Sequence, residues 1–180
     1  MTLTPAQAQH LLQELGLPFA AGLSETELRH VERLFGFEFN PDHRALLRAG
    51  LPLGERWPDW RHPDAQHLKD RLDSPIDGVL FDVAENAFWL HAWGPRPDDA
   101  DAALAVAKRA LNGVPRLIPV YGHRFAPALP EAGLPVLSVV QTDVIVYGRD
   151  MTDYLLREFG SGQPETVGSA TAVPFWLDLS

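Results

Sequence analysis

The sequence predicts a single α+β domain, an antiparallel sheet of about five or six strands flanked by helices. Two capping boxes near the N-terminus announce helices. The stretch from Leu117 to Gly148 is dense in β-type apolar residues broken by turn residues, which announces strands. At 180 residues, with 46% hydrophobic and 22% charged side chains, the chain suits one sizeable core and is short for two.

Thr4 with Gln7 forms the first box, Pro5 suits a first helical position and Gly16 ends the run, so residues 5–15 read as a helix packing through Leu11, Leu12 and Leu15. Ser24 with Glu27 opens a second helix through Phe35, with Leu28, Val31, Leu34 and Phe35 on one side and Gly36 following. Asn40-Pro41-Asp42 starts a third, short helix that carries Leu46 and Leu47 and stops at Gly50. His10, His30 and His43 lie in these helices and are expected to face solvent or partners.

Trp57 and Trp60 fall in a loop, and a helix is expected from Asp64 to Leu72. From Gly78 to Val83 the side chains alternate, and after a turn at Glu85-Asn86 a second strand sets Phe88, Leu90 and Ala92 against Trp89, His91 and Trp93. Asp98 to Leu111 reads as a helix, with acids in its first turn and Lys108 and Arg109 near its end. Leu117–Tyr121, Pro135–Val140 and Val144–Tyr147 read as strands, the last two joined by a hairpin around Gln141-Thr142-Asp143. Arg149 to Phe159 closes the domain as a helix. Residues 1–21 are thus an N-terminal helical extension, 22–160 the core, and 161–180 a linker and latch. The linker GSGQPETVGSATA ends in PFWLDL, whose Phe175 and Trp176 are expected to dock as an edge strand or apolar latch.

There is no cysteine, which removes disulfides and Cys-ligated zinc and fits a reducing cytoplasm. The first residues lack a signal-peptide pattern, and no apolar run is long enough to cross a bilayer, so a cytoplasmic location is expected. A formal charge of −9 opposes binding to nucleic acid or anionic lipid. Residues 64–101 carry a local net of −6, contributed by Asp64, Asp70, Asp73, Asp77, Asp82, Glu85, Asp98, Asp99 and Asp101 against Lys69, Arg71 and Arg96. That stretch is either a solvated face or a surface that attracts a basic partner.

Known catalytic patterns are absent. His62 and His67, flanking Asp64, are five apart where helical metal ligands are normally three or four apart, and no HExxH follows, so no metal is expected. Ser138 lacks the glycine-framed elbow of a hydrolase serine, and there is no phosphate-binding glycine loop. His123, Arg124, Gln141 and Asp143 are the polar residues framed by the predicted strands. An Arg124–Asp143 ion pair with Gln141 nearby would be a structural cluster. Alternatively Tyr121, His123 and Arg124 form a recognition surface, since Arg and Tyr are enriched among binding hot spots. A catalytic His-Arg-Asp cluster is the third reading. Trp89, His91 and Trp93, with Trp57 and Trp60, are core if a helix covers them and a partner-binding patch if none does.

Two segments carry a resemblance. LIPVYGHRFAP followed by PVLSVVQTDVIVYG, and the earlier SETELRHVERLFGFEFNPDHRALLRAG, resemble the SUKH superfamily, which contains yeast cell-wall-synthesis regulators and many bacterial toxin-immunity proteins. GVLFDVAENAFWLHAWG is similar to that family's paired strands with Trp residues beside a turn. The resemblance spans roughly residues 22 to 160. It implies a non-enzymatic protein-interaction domain needing no cofactor: a bacterial immunity protein that binds and neutralises a toxin domain, a basic toxin being steered by the acidic surface. A regulatory or scaffold protein, or an enzyme acting on a small substrate near His123, are the alternatives. A monomer or weak homodimer is expected.

Overall fold

The computed structural model describes residues 2–62, 65–161 and 169–179. Three helices open the chain: α1 (Pro5–Glu14), α2 (Glu25–Phe35) and α3 (Pro41–Ala49). Each is started by a side chain that accepts a hydrogen bond from a backbone N–H in the first turn. Thr4 caps α1, Ser24 caps α2 and Asn40 caps α3, and the first two form full capping boxes with Gln7 and Glu27. Gly36 ends α2 in the left-handed region, at a φ of 70°, which a residue with a Cβ adopts only at a cost. Two two-residue strands, β1 (Phe19–Ala20) and β2 (Leu51–Pro52), pair antiparallel and tie α1 to the end of α3.

The main sheet is an antiparallel meander of four strands in sequence order, β3 (Leu117–Tyr121), β4 (Arg124–Pro127), β5 (Val136–Val140) and β6 (Asp143–Gly148). The α+β class therefore holds, but the strands are divided between this sheet and the short β1–β2 ribbon rather than joined in one sheet of five or six. Alternation sends Leu117, Phe125, Leu137, Val139 and Val144 to one face and Ile118, Val120, Ala126 and Val136 to the other. The second face packs against α1, α2, α3 and α6 (Met151–Phe159). The first is covered by α4 (Ala65–Glu85), α5 (Ala100–Leu111) and the C-terminal residues. Every residue of β4 is buried.

The largest correction concerns residues 65–93. A helix ending at Leu72, a strand over 78–83 and a second strand over 88–93 were expected; α4 instead runs unbroken for 21 residues, and a loop with a 3-10 turn at His91–Trp93 follows. Val79 and Val83 alternate with polar neighbours as in a strand, but they also lie four apart, and with Leu68 and Leu72 they form one buried helical stripe. Pro75 sits inside the helix. Its missing N–H leaves the Arg71 carbonyl without its helical donor, and the Ser74 hydroxyl takes that place at 2.9 Å. Asp82, also buried, accepts hydrogen bonds from the Thr142 amide (3.0 Å) and hydroxyl (2.6 Å), so the helix is pinned to the β5–β6 turn. Gly78 allows the approach, because a Cβ there would lie 2.8 Å from the Gln141 Cα.

Two smaller expectations also change. Leu34 is 47% exposed and takes no part in the buried face of α2. His43 is buried beside the Phe39 ring, and loss of hydration lowers its pKa to about 3, so the side chain is neutral. At the C-terminus, Val173 and Trp176 are fully buried and the Trp176 indole N–H donates to the Pro115 carbonyl at 2.7 Å. PFWLDL thus packs as an apolar 3-10 turn, Trp176–Asp178, and not as an edge strand. Residues 162–168 of the linker lie outside the described residues. Among the described residues no helix is long and apolar enough to cross a membrane.

Candidate functional site

The tip of the β3–β4 hairpin gathers more of the singled-out residues than any other point. Tyr121 pairs with Arg124 across a two-residue turn, Gly122-His123, in which Gly122 has a φ of 53°. The left-handed conformation favours glycine at Gly122, and a Cβ there would also displace the Arg56 guanidinium, 2.7 Å away at the end of an exposed side chain. The loop after β2 reaches this turn through its backbone. The Gly122 amide donates to the Arg56 carbonyl at 2.9 Å, and Arg71, from α4, donates through Nη2 to the carbonyls of Arg56 (3.2 Å) and Gly122 (3.3 Å).

Around this hub lies an aromatic cluster. The Arg56 guanidinium sits 4.5 Å over the Tyr121 ring. Trp57 lies 4.8 Å from Tyr121 and stacks on Phe159 at 5.4 Å, and Tyr121 meets Phe159 edge-on at 5.1 Å. All three rings are half-buried, while Arg56 and His123 are exposed. Trp57 also lines a groove of about 230 Å³ with Leu51, Pro52, Leu53 and Pro58.

Among the described residues neither Arg56 nor Arg71 has a carboxylate within 4.0 Å, as is also true of Arg33, Arg48, Arg96 and Arg109, whereas Arg29, Arg44, Arg61, Arg116, Arg124, Arg149 and Arg157 do. Burial lowers the pKa of Arg71, as expected of a cation that gives up water for carbonyl dipoles alone. Partial burial and the charges of Arg124 and Arg56 likewise lower that of His123, so it is neutral at pH 7.

Arg124 is the strand-side neighbour of this tip, but it points into the protein. Its Nε donates to Glu158 (3.2 Å), its Nη1 to the Ser138 hydroxyl (2.8 Å), and its guanidinium carbon lies 3.8 Å from the centre of the Tyr147 ring. The expected cluster with Gln141 and Asp143 does not form. Ser138 faces Arg124 and Ile145 in turn faces Ser138, so Asp143 is two strands over and two residues along, and both it and Gln141 are exposed at the β5–β6 turn. Glu158 takes the role assigned to Asp143. At 9% exposure Arg124 is a framework residue and offers little to a partner.

The remaining candidates separate. Trp60 is 1% exposed, boxed by Phe35, Phe37 and Phe39, and cannot serve as a contact residue. Trp89 and Trp93 pack edge-on at 5.2 Å, half-buried, with His91 exposed between them; their spacing of two reflects a turn and not a strand. Asp98, Asp99 and Asp101 are exposed at the start of α5, where Asp99 is the N-cap. Elsewhere in the acidic stretch Asp73 pairs with Lys69 and Arg116. Among the described residues no group of three His, Asp or Glu side chains is placed to hold a metal, and Asp64 lies outside them. His62 lies 3.6 Å from Asp59.

Arg56, Arg71 and Phe159 were not marked as site residues by the sequence. Arg56 adjoins Trp57, which hints at its place, but nothing local links Arg71 or Phe159 to a turn some 40 to 50 positions away along the chain. No protein-family model matches this chain, and no curated protein or solved structure is significantly similar to it.

Proposed function

We propose that this chain is a non-enzymatic protein-binding domain whose contact surface is the hairpin tip formed by Arg56, Trp57, Tyr121 and His123. The observation that carries the proposal is the coincidence, at one point, of half-exposed Trp and Tyr rings with arginines that have no carboxylate partner. Such residues dominate binding energy at protein interfaces, since they bury large rigid areas and direct several donors outward. His123 stands on a two-residue turn, and no carboxylate hydrogen-bonds its ring to orient it as a general base, which favours binding over catalysis.

Within this class the reading we adopt is a bacterial immunity protein that neutralises a cognate toxin, on the strength of the segments 24–50 and 117–148. The first folds as the helix pair α2–α3 and the second as the meander β3–β6, whose first hairpin carries the tip. The test has two arms. The product of the gene adjacent to this one in its native genome is expressed in a bacterial host with and without this chain. Under the immunity reading growth is lost without it and restored with it, and Trp57→Ala with Tyr121→Ala abolishes the protection while leaving the fold intact. Protection unchanged by that folded double variant would move the contact surface elsewhere. A neighbouring product that harms nothing would leave a regulatory protein as the better assignment.

A further inference from the structure

The uncompensated arginines at the tip say what chemistry the partner brings. Among the described residues seven of the thirteen arginines and Lys69 have carboxylates within 4.0 Å, in a chain with a nine-charge excess of acid. Arg56 and Arg71 belong to the six arginines that do not, and the structure brings these two together from different elements, Arg71 Nη2 donating to the Arg56 carbonyl. Arg71 is half-buried and engages only its Nη2, on two carbonyls, which leaves the rest of its donor fork available. Glu55 is exposed and forms no ion pair with either, and Glu158 is already taken by Arg124. A partly desolvated guanidinium without an anion is costly, and an incoming carboxylate relieves that cost through charge-assisted hydrogen bonds.

Beside the arginines lies a groove lined by apolar side chains and also by Asp59, Arg61 and His62. Trp57 belongs both to the ring cluster and to the groove of about 230 Å³ that continues along Leu51, Pro52, Leu53 and Pro58, and Leu53 is 50% exposed. We infer that the tip receives an acidic protein segment in which carboxylates flank an apolar side chain, the carboxylates meeting Arg56 and Arg71 and the apolar group entering the groove beside Trp57. This rests on the hairpin tip being the contact surface. It reverses the polarity suggested by composition, since an acidic chain receives an acidic segment at two arginines that have no carboxylate within 4.0 Å among the described residues.

The test uses the full ¹⁵N-labelled chain and three synthetic ten-residue peptides that share a central Phe-Leu and carry Glu, Ser or Lys around it. Titrations follow the Gly122 amide and the Trp57 indole N–H. The Glu peptide is expected to shift both signals and to bind about tenfold tighter than the Ser peptide, a gap that closes in high salt; the Lys peptide is expected to shift neither. Arg56→Gln, on an exposed side chain and checked for an unchanged melting temperature, should weaken the Glu peptide about tenfold and leave the Ser peptide as it was. Equal binding of the Glu and Ser peptides at Gly122 and Trp57 would overturn the carboxylate assignment while leaving the contact surface standing. Tighter binding of the Lys peptide, shifts confined to other surfaces, or no binding of the Glu peptide up to millimolar concentration would overturn the inference too. Loss of protection in the Trp57→Ala, Tyr121→Ala variant tests the surface independently of any peptide.

Discussion

Two tryptophans three residues apart in one loop have opposite roles. Trp60 is enclosed by Phe35, Phe37 and Phe39 with ring centres 5.2 to 6.4 Å away, and it is 1% exposed. Trp57 is equally well packed on one side, against Tyr121 and Phe159, but its cluster is crowned by Arg56 and opens to a groove. Residue type and sequence spacing do not separate them. What differs is whether the surrounding elements, α2 and its Phe-rich exit for Trp60, the hairpin tip for Trp57, close over the ring.

That contrast makes quantitative predictions. Trp60→Ala should cost about 3–5 kcal/mol in chemical denaturation, since the cavity is enclosed and cannot collapse. Deleting residues 173–180 should be of similar size, about 3 kcal/mol or more from Val173 and Trp176, and lower the melting temperature by at least ~6 °C. A truncated chain that melts with the wild type would show that the tail does not contribute to the fold. Arg124→Ala should cost ~3 kcal/mol, because it strands Glu158 beside a buried interior; Asp143→Ala, if the pairing described here is right, should be nearly silent in the same assay.

His43 gives the cluster around Trp60 a pH dependence. Its folded pKa, about 3, lies below the ordinary 6.5, so the unfolded chain takes up a proton that the folded chain refuses. The associated stability is complete above about pH 6.5 and is lost as pH falls, by at most ~1.4 kcal/mol per unit. Carboxylates such as Glu27, held at about 2 by Arg61 and the Ser24 cap, contribute their loss only below the ordinary carboxylate range. The window from pH 6.5 to 5 therefore belongs to His43 and to His123, whose pKa is lowered as well, and His43→Leu should reduce the slope there; an unchanged slope would place the sensitivity elsewhere. Of the two tryptophans Trp57 should show the smaller effect, Trp57→Ala costing only about 1 kcal/mol of stability while removing partner binding. A loss as large as that of Trp60→Ala would make Trp57 a core residue and weaken the case for the tip as a surface.

Much of the helical framework was legible because its signals are local. Ser24 and Glu27 satisfy each other's backbone within four residues, and Asp99 and Asp150 start α5 and α6 as simple N-caps that accept from the Ala102 and Asp153 amides. The β5–β6 hairpin was legible because Val136–Val140 and Asp143–Gly148 are separated by two turn residues, whereas β4, Arg124–Pro127, was not expected as a strand. The segment from Gly78 to Trp93 was not, since a run of six residues with Val79, Phe81 and Val83 satisfies a period of two and a helical stripe alike. Which of these wins depends on Leu68 and Leu72 earlier in the same helix and on Thr142, sixty residues away, receiving Asp82.

By itself, then, the sequence determined the class of fold, the starts of most helices, three of the last four strands, β4 being unexpected, and the need to bury Trp176. These follow from interactions within a few residues or from the plain cost of exposing large apolar side chains. Only the tertiary structure decided that Arg124 answers to Glu158, that Trp60 is sealed while Trp57 is not, and that Arg71 meets Arg56 at Gly122. Those outcomes depend on which chain segments, remote in sequence, arrive at the same place with or without a compensating charge.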